Sequence, residues 1–271
     1  MENYVNHSPI EAQYPDLPGK TMVVTGAAQG MGRLFATQLA SRGVNVVITD
    51  LNDTVLEAAE EINQELAEAN LAQESGKVVG VVADVTKKQD HEKTLSAAVE
   101  NFGGLHGWIN NAGVFPEAES LDIPESQFDL AFDVNTKGTL FGSQVAAGYM
   151  KDHGGGSIVN MASVAALRIR RGRGAYNTAK AGTLQLSYSL AVELGDFNVR
   201  VNAVAPGFID TAMTQWVHER EGALEHALGN VPLHRIGAPV EVFAAVLFLL
   251  SDSARYITGS CISVDGGSRH V

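Results

Sequence analysis

The chain has 271 residues, 45% hydrophobic and 18% charged, and a formal net charge of −12. That length and composition suit one large α/β domain or two small ones with a sizeable core. The acidic balance speaks against a nucleic-acid partner, which needs clustered lysines and arginines, and against adsorption to an anionic membrane. Cys261 is the single cysteine, so no intrachain disulfide forms and a reducing compartment, the cytoplasm, is expected.

Residues 1–18 are polar, carry Pro9, Pro15 and Pro18, and read as an N-terminal arm with no signal-peptide core. Residues 19–271 read as a single domain. Short apolar runs predict strands at Met22–Thr25, Asn45–Thr49, Val78–Val82, Gly107–Asn110, Ser157–Met161, Arg200–Ala205 and Cys261–Val264. Most are continuous rather than alternating, as expected where helices cover both faces of a parallel sheet. Helical patterns fall between them, at Gly32–Ser41, Val55–Asn70, His91–Asn101, Thr136–Lys151, Ala175–Leu194 and Pro239–Ser251. The strand–helix alternation predicts an α/β fold, a doubly wound, Rossmann-like parallel sheet of seven strands. No run is long enough to span a membrane; the longest, Val242 to Leu250, is far too short. Phe208 to Ile236 breaks the rhythm and is expected to be a substrate lid, with Trp216 and His218 as candidate pocket residues beside a plain reading as hydrophobic cover.

The first strand runs into Thr25-Gly26-Ala27-Ala28-Gln29-Gly30-Met31-Gly32 and then a helix. Gly26 suits a tight turn, Gly30 a close backbone approach to a pyrophosphate, and Gly32 close packing of helix on sheet; the helix N-terminus supplies free N–H donors. Asp50, about twenty residues on after the second strand, can accept hydrogen bonds from ribose hydroxyls and would repel a 2′-phosphate. Its neighbour is Leu51, and Gln29 stands where a cation could have met that phosphate, so NAD is expected rather than NADP. Asp50 is also readable as a plain helix N-cap.

Tyr176 and Lys180 lie four apart on one helix and share a face. A lysine ammonium there favours the phenolate and makes the tyrosine a usable acid or base. Ser163, at the end of a strand thirteen residues earlier, can hydrogen-bond the same substrate oxygen.

With Asp84, Asn110-Asn111-Ala112-Gly113, Asn135 and Pro206-Gly207 added in order, the chain from Lys20 to Asp265-Gly266-Gly267 resembles the short-chain dehydrogenase/reductase family. The resemblance implies that Tyr176 is the general acid/base, that Lys180 lowers its pKa and holds the nicotinamide ribose, and that Ser163 polarises the carbonyl. It implies that Asn135 holds a water linking Lys180 to solvent. Asp84 and the backbone at Val85 would meet adenine, Asn111 and Ala112 the adenosine ribose, Met31 the pyrophosphate, and Ile209 and Thr211 the nicotinamide amide. It further implies pairing of the helices at Thr136–Lys151 and Ala175–Leu194 in a homotetramer.

The histidines show no metal-ligand spacing, and no catalytic metal is expected. Arg168, Arg170, Arg171 and Arg173 crowd the stretch between Ser163 and Tyr176. They suit an anionic substrate, with Arg168 expected nearest the cleft, or else solvent and subunit salt bridges. The function expected is NAD(H)-dependent interconversion of a small-molecule secondary alcohol and its ketone. The rivals are a 3-oxoacyl-carrier-protein reductase and a nucleotide-binding module without chemistry; the intact Asn135, Ser163, Tyr176 and Lys180 speak against the latter.

Overall fold

The computed structural model describes residues 10–69, 75–211, 214 and 223–271. The strands are β1 (Thr21–Thr25), β2 (Asn45–Asp50), β3 (Val78–Val82), β4 (Gly107–Asn110), β5 (Gly156–Met161), β6 (Val199–Pro206) and β7 (Cys261–Val264). They form one seven-stranded parallel sheet in the order β3-β2-β1-β4-β5-β6-β7. The order reverses between β1 and β4. In such sheets ligands bind in the crevice beyond the carboxyl ends of the strands at that point.

Alternate strand residues face opposite ways, and the two cores follow from it. Met22, Val24, Val46 and Ile48 pack against α1 (Gly30–Ala40), α2 (Thr54–Glu68) and α8 (Pro239–Leu250). Val23, Val47, Trp108 and Ile158 pack against α3 (Lys88–Phe102), α5 (Gly138–Met150) and α6 (Gly174–Leu194). A short helix, α7 (Ala223–Leu228), lies in the stretch expected to be the lid. Trp216 and His218 lie outside the described residues.

The rhythm of the sequence omits α4 (Glu125–Phe132), which runs through a turn of π-helix, Asp133–Lys137, into α5. The stretch before β1 is held more firmly than its composition suggests. Leu17 is buried in the first core, Ile10 and Tyr14 pack on it, and Arg42, in the turn after α1, donates to the carbonyls of Ile10 at 2.8 Å and Ala12 at 3.3 Å. No helix among the described residues is long and apolar enough to cross a membrane.

Candidate active site

The glycine turn is built by close approach. Gly26 adopts φ +64°, and a Cβ there would fall 2.7 Å from the Ala112 Cα. At Gly32 it would fall 2.4 Å from the Gly26 carbonyl oxygen, so the first turn of α1 can sit on the sheet only without a side chain. Asn111 ties this turn to β4: its Nδ2 donates to the carbonyls of Thr25 (2.9 Å) and Gly26 (3.0 Å). The Thr25 hydroxyl in turn accepts from the amides of Asn111 and Ala112, both at 3.0 Å.

A cavity of about 440 Å³ opens over the turn. Gly26, Gln29, Gly30, Met31 and Gly32 floor it, Asp50, Leu51, Asp84 and Val85 wall its outer end, and Asn111, Ala112, Gly113 and Thr211 its inner end. Asp50 accepts from the Ala28 amide at 3.2 Å and the Asn52 amide at 3.3 Å, which aims its carboxylate along the rim. Arg33, the first cation of α1, is held away by Glu61 at 2.8 Å and Glu65 at 3.0 Å. Burial opposes ionisation of Asp84, but hydrogen bonds from Thr86 and the charge of Lys87 outweigh it and hold the carboxyl below its usual range.

The cavity continues inward, past Met31, Asn111 and Gly113, into one of about 110 Å³ lined by Asn135, Ser163, Tyr176, Lys180, Pro206, Gly207 and Ile209. Together the two bring to one crevice every residue that the sequence marks for chemistry or for a nucleotide. An elongated space over a helix N-terminus, with a carboxylate at one end and an acid–base pair at the other, fits a nicotinamide dinucleotide.

The reacting end is largely dry. Ser163 caps the single turn Val164–Ala166, its Oγ accepting from the Ala165 amide at 3.1 Å. Its hydroxyl lines the same cavity as that of Tyr176. The Tyr176 ring meets Phe115 edge-on, with centroids 4.6 Å apart. Lys180, buried, donates to the Met161 carbonyl at 2.7 Å, and its Nζ lies 5.9 Å from the centre of the Tyr176 ring. Burial pulls the lysine pKa down to about 8. For Tyr176 the balance runs against the sequence expectation. Burial raises its pKa above the ordinary 10.0, more than the neighbouring Ser163 hydroxyl and the Arg173 charge lower it. Without a cofactor the phenol is therefore held protonated.

Asn135 lies in the π-helical turn. Its amide side chain donates to the carbonyls of Val114 and Ala131 at 3.0 Å and accepts from the Val114 amide at 3.2 Å. Its own carbonyl accepts from the hydroxyls of Thr139 and Thr183, both at 2.8 Å. Thr183, three residues beyond Lys180, is thus part of the surroundings of Asn135, as Phe115 is of Tyr176. Neither carries a signal in the sequence, since both lie close through the fold alone.

The four arginines separate. Arg168 does not stand nearest the cleft: it donates to the Ser268 carbonyl at 2.7 Å and Asn230 at 3.1 Å. Arg171 is exposed and pairs with Glu119. Arg170 and Arg173 line a third cavity with Ser163 and Tyr176. Among the described residues no group of three or more His, Cys, Asp or Glu side chains is placed to hold a metal ion.

A family model described as enoyl-(acyl carrier protein) reductase matches residues 26–269. The 3-oxoacyl-[acyl-carrier-protein] reductase FabG of Thermotoga maritima is 36% identical over 255 residues, covering 93% of this chain and 98% of its own. The chain belongs to the short-chain dehydrogenase/reductase family. Another relative at 36% identity, the 2-(R)-hydroxypropyl-CoM dehydrogenase of Xanthobacter autotrophicus, aligns over 91% of this chain and 97% of its own. The crystal structure of a putative short-chain alcohol dehydrogenase from Sinorhizobium meliloti superposes with a TM-score of 0.84 at 34% identity, covering 93% of this chain and 97% of that one. Like these dehydrogenases and reductases, this short-chain dehydrogenase/reductase is an oxidoreductase acting on CH–OH donors with a nicotinamide cofactor.

Proposed function

We propose that the enzyme interconverts a small secondary alcohol and its ketone with NAD(H), in the cytoplasm, as a homotetramer paired through α5 and α6. The observation that carries the chemistry is the convergence of Ser163, Tyr176 and buried Lys180 on one cavity. When bound, the nicotinamide supplies or takes the hydride. The residues of the chain move the proton and hold the oxygen. In reduction, protonated Tyr176 gives its proton to the carbonyl oxygen as charge develops there, and Ser163 donates a second hydrogen bond to the same atom. The Lys180 ammonium and Arg173 stabilise the phenolate left behind. In oxidation the same phenolate accepts the alcohol proton. Asn135 holds the Val114 segment and, with Thr139 and Thr183 on its carbonyl, sets the floor beneath Lys180.

NAD rather than NADP is supported by Asp50 at the ribose end of the cavity and by the engagement of Arg33 with Glu61 and Glu65. The second reading, reduction of a 3-oxoacyl group on a carrier protein, is favoured by the Thermotoga maritima relative. A screen of ketones and alcohols with each cofactor, following absorbance of the reduced nicotinamide, separates the two. Turnover of small free ketones with NADH supports the first. NADPH-dependent turnover confined to carrier-bound 3-oxoacyl groups supports the second.

A further inference from the structure

The third cavity, about 70 Å³, is lined by Phe115, Ser163, Arg170, Arg173 and Tyr176 and is continuous with the reacting end. Arg170 is the feature in it that lacks an explanation. Its Nη2 is buried from solvent and has no hydrogen-bond partner among the described residues. Its backbone is fixed, the carbonyl accepting from Asn177 Nδ2 at 3.0 Å, so the loop is held to the helix that carries Tyr176. A guanidinium without a counter-charge is costly to bury. Burial and the like charges of Arg173 and Arg168 depress its pKa from the ordinary value. Its three neighbours in sequence are already bound. Arg168 holds Ser268, Arg171 pairs with Glu119, and Arg173 gives Nε to Glu117 at 3.2 Å while stacking on Phe115 at 4.6 Å.

We propose that Arg170, seconded by the terminal nitrogens of Arg173, binds a carboxylate on the substrate, which makes the substrate a keto or hydroxy acid. The inference rests on the oxidoreductase reading. Arg170 lines the same small cavity as Ser163 and Tyr176, so few atoms separate the carboxylate from the reacting carbon. A 3-oxo acid has that spacing. A planar guanidinium suits the two oxygens of a carboxylate. The local positive field also draws an anion into a protein whose net charge of −12 otherwise repels it.

The test compares 3-oxobutanoate and 3-oxohexanoate with their methyl esters, as turnover with NADH and as calorimetric binding to the NADH-loaded enzyme. The proteins are wild type, Arg170→Gln, Arg170→Lys and, as an exposed control, Arg171→Gln. Arg170→Gln is expected to lose about ten- to a hundredfold in kcat/KM for the acids, carried by KM, and no more than about twofold for the esters. Arg170→Lys recovers part of the loss, added salt shrinks it, and Arg171→Gln behaves as wild type. An equal loss on acids and esters, or a wild type that neither binds nor reduces the acids, overturns the carboxylate subsite. Ester reduction in that second case leaves the oxidoreductase reading standing. Binding of the acids through Arg170 without any turnover supports the subsite and overturns the 3-oxo spacing, because the carbonyl then sits away from Ser163 and Tyr176.

Discussion

Replacing Lys180 by methionine exposes a trade between stability and chemistry. In the folded chain Lys180 titrates near 8, below its ordinary 10.5, because burial disfavours the ammonium. The difference corresponds to about 3 kcal/mol of stability withheld from the folded state. The sign follows from proton counting. Between about 8 and 10.5 the unfolded chain binds more protons at this group than the folded one, so wild-type stability rises with pH through that window. Below it the destabilisation is complete. Lys180→Met removes the titrating group but leaves the Met161 carbonyl without its donor, which takes back about 1–2 kcal/mol. The variant is therefore expected to be about 1–2 kcal/mol more stable than wild type at neutral pH and less stable at the alkaline end, while its turnover collapses. Urea unfolding across the window, at one fixed protein concentration because assembly alters apparent stability, measures the difference. A stability difference that stays constant with pH would refute the assignment of the buried charge to Lys180.

Three further outcomes are expected. Tyr176→Phe should lower kcat by about 10²–10⁴ while NADH, titrated by its own fluorescence, binds nearly as before; a variant that keeps most of its kcat shows that the proton moves elsewhere. Asp50→Ala should narrow the preference for NAD(H) over NADP(H) in kcat/KM, and a wild type that favours NADP(H) would sink the cofactor argument. Gly32→Ala drives a methyl to 2.4 Å from the Gly26 carbonyl and should cost about 1–3 kcal/mol in thermal unfolding as well as NADH affinity; unchanged values would mean that the turn gives way freely.

All seven strands are placed within a residue or two, the inner ones because burial on both faces makes them read as apolar runs; β3 and β7, at the sheet edges, are only partly buried. The crevice was legible because Gly26, Asp50, Ser163, Tyr176 and Lys180 sit at fixed distances from strand ends. What escaped depends on contacts between distant segments. α4 presents Phe128 and Leu130 partly to solvent, so its apolar residues form no stripe that periodicity can find. The π-helical turn at Asn135 reflects how the chain beyond β4 is packed, and no residue type announces it. Proximity in sequence also misled for the arginines. The direction of a guanidinium depends on acceptors such as Ser268, which is a hundred residues from Arg168. Nor could a tyrosine–lysine spacing report that both groups are dry enough for burial to dominate their titration.

The bond from Arg168 to Ser268 makes the wall of the substrate cleft lean on the last few residues of the chain. That end is itself pinned, the Asp265 carboxylate accepting from the amides of Gly267 at 3.1 Å and Arg269 at 2.9 Å. A substitution at Asp265 would load the strut behind Arg168 without touching the cleft. Its kinetic constants would therefore mix the properties of the cleft with those of its prop, and the same linkage gives selection a remote dial for substrate choice. Changes around Ser268 could retune the pocket while every residue that touches the reacting atoms stays the same.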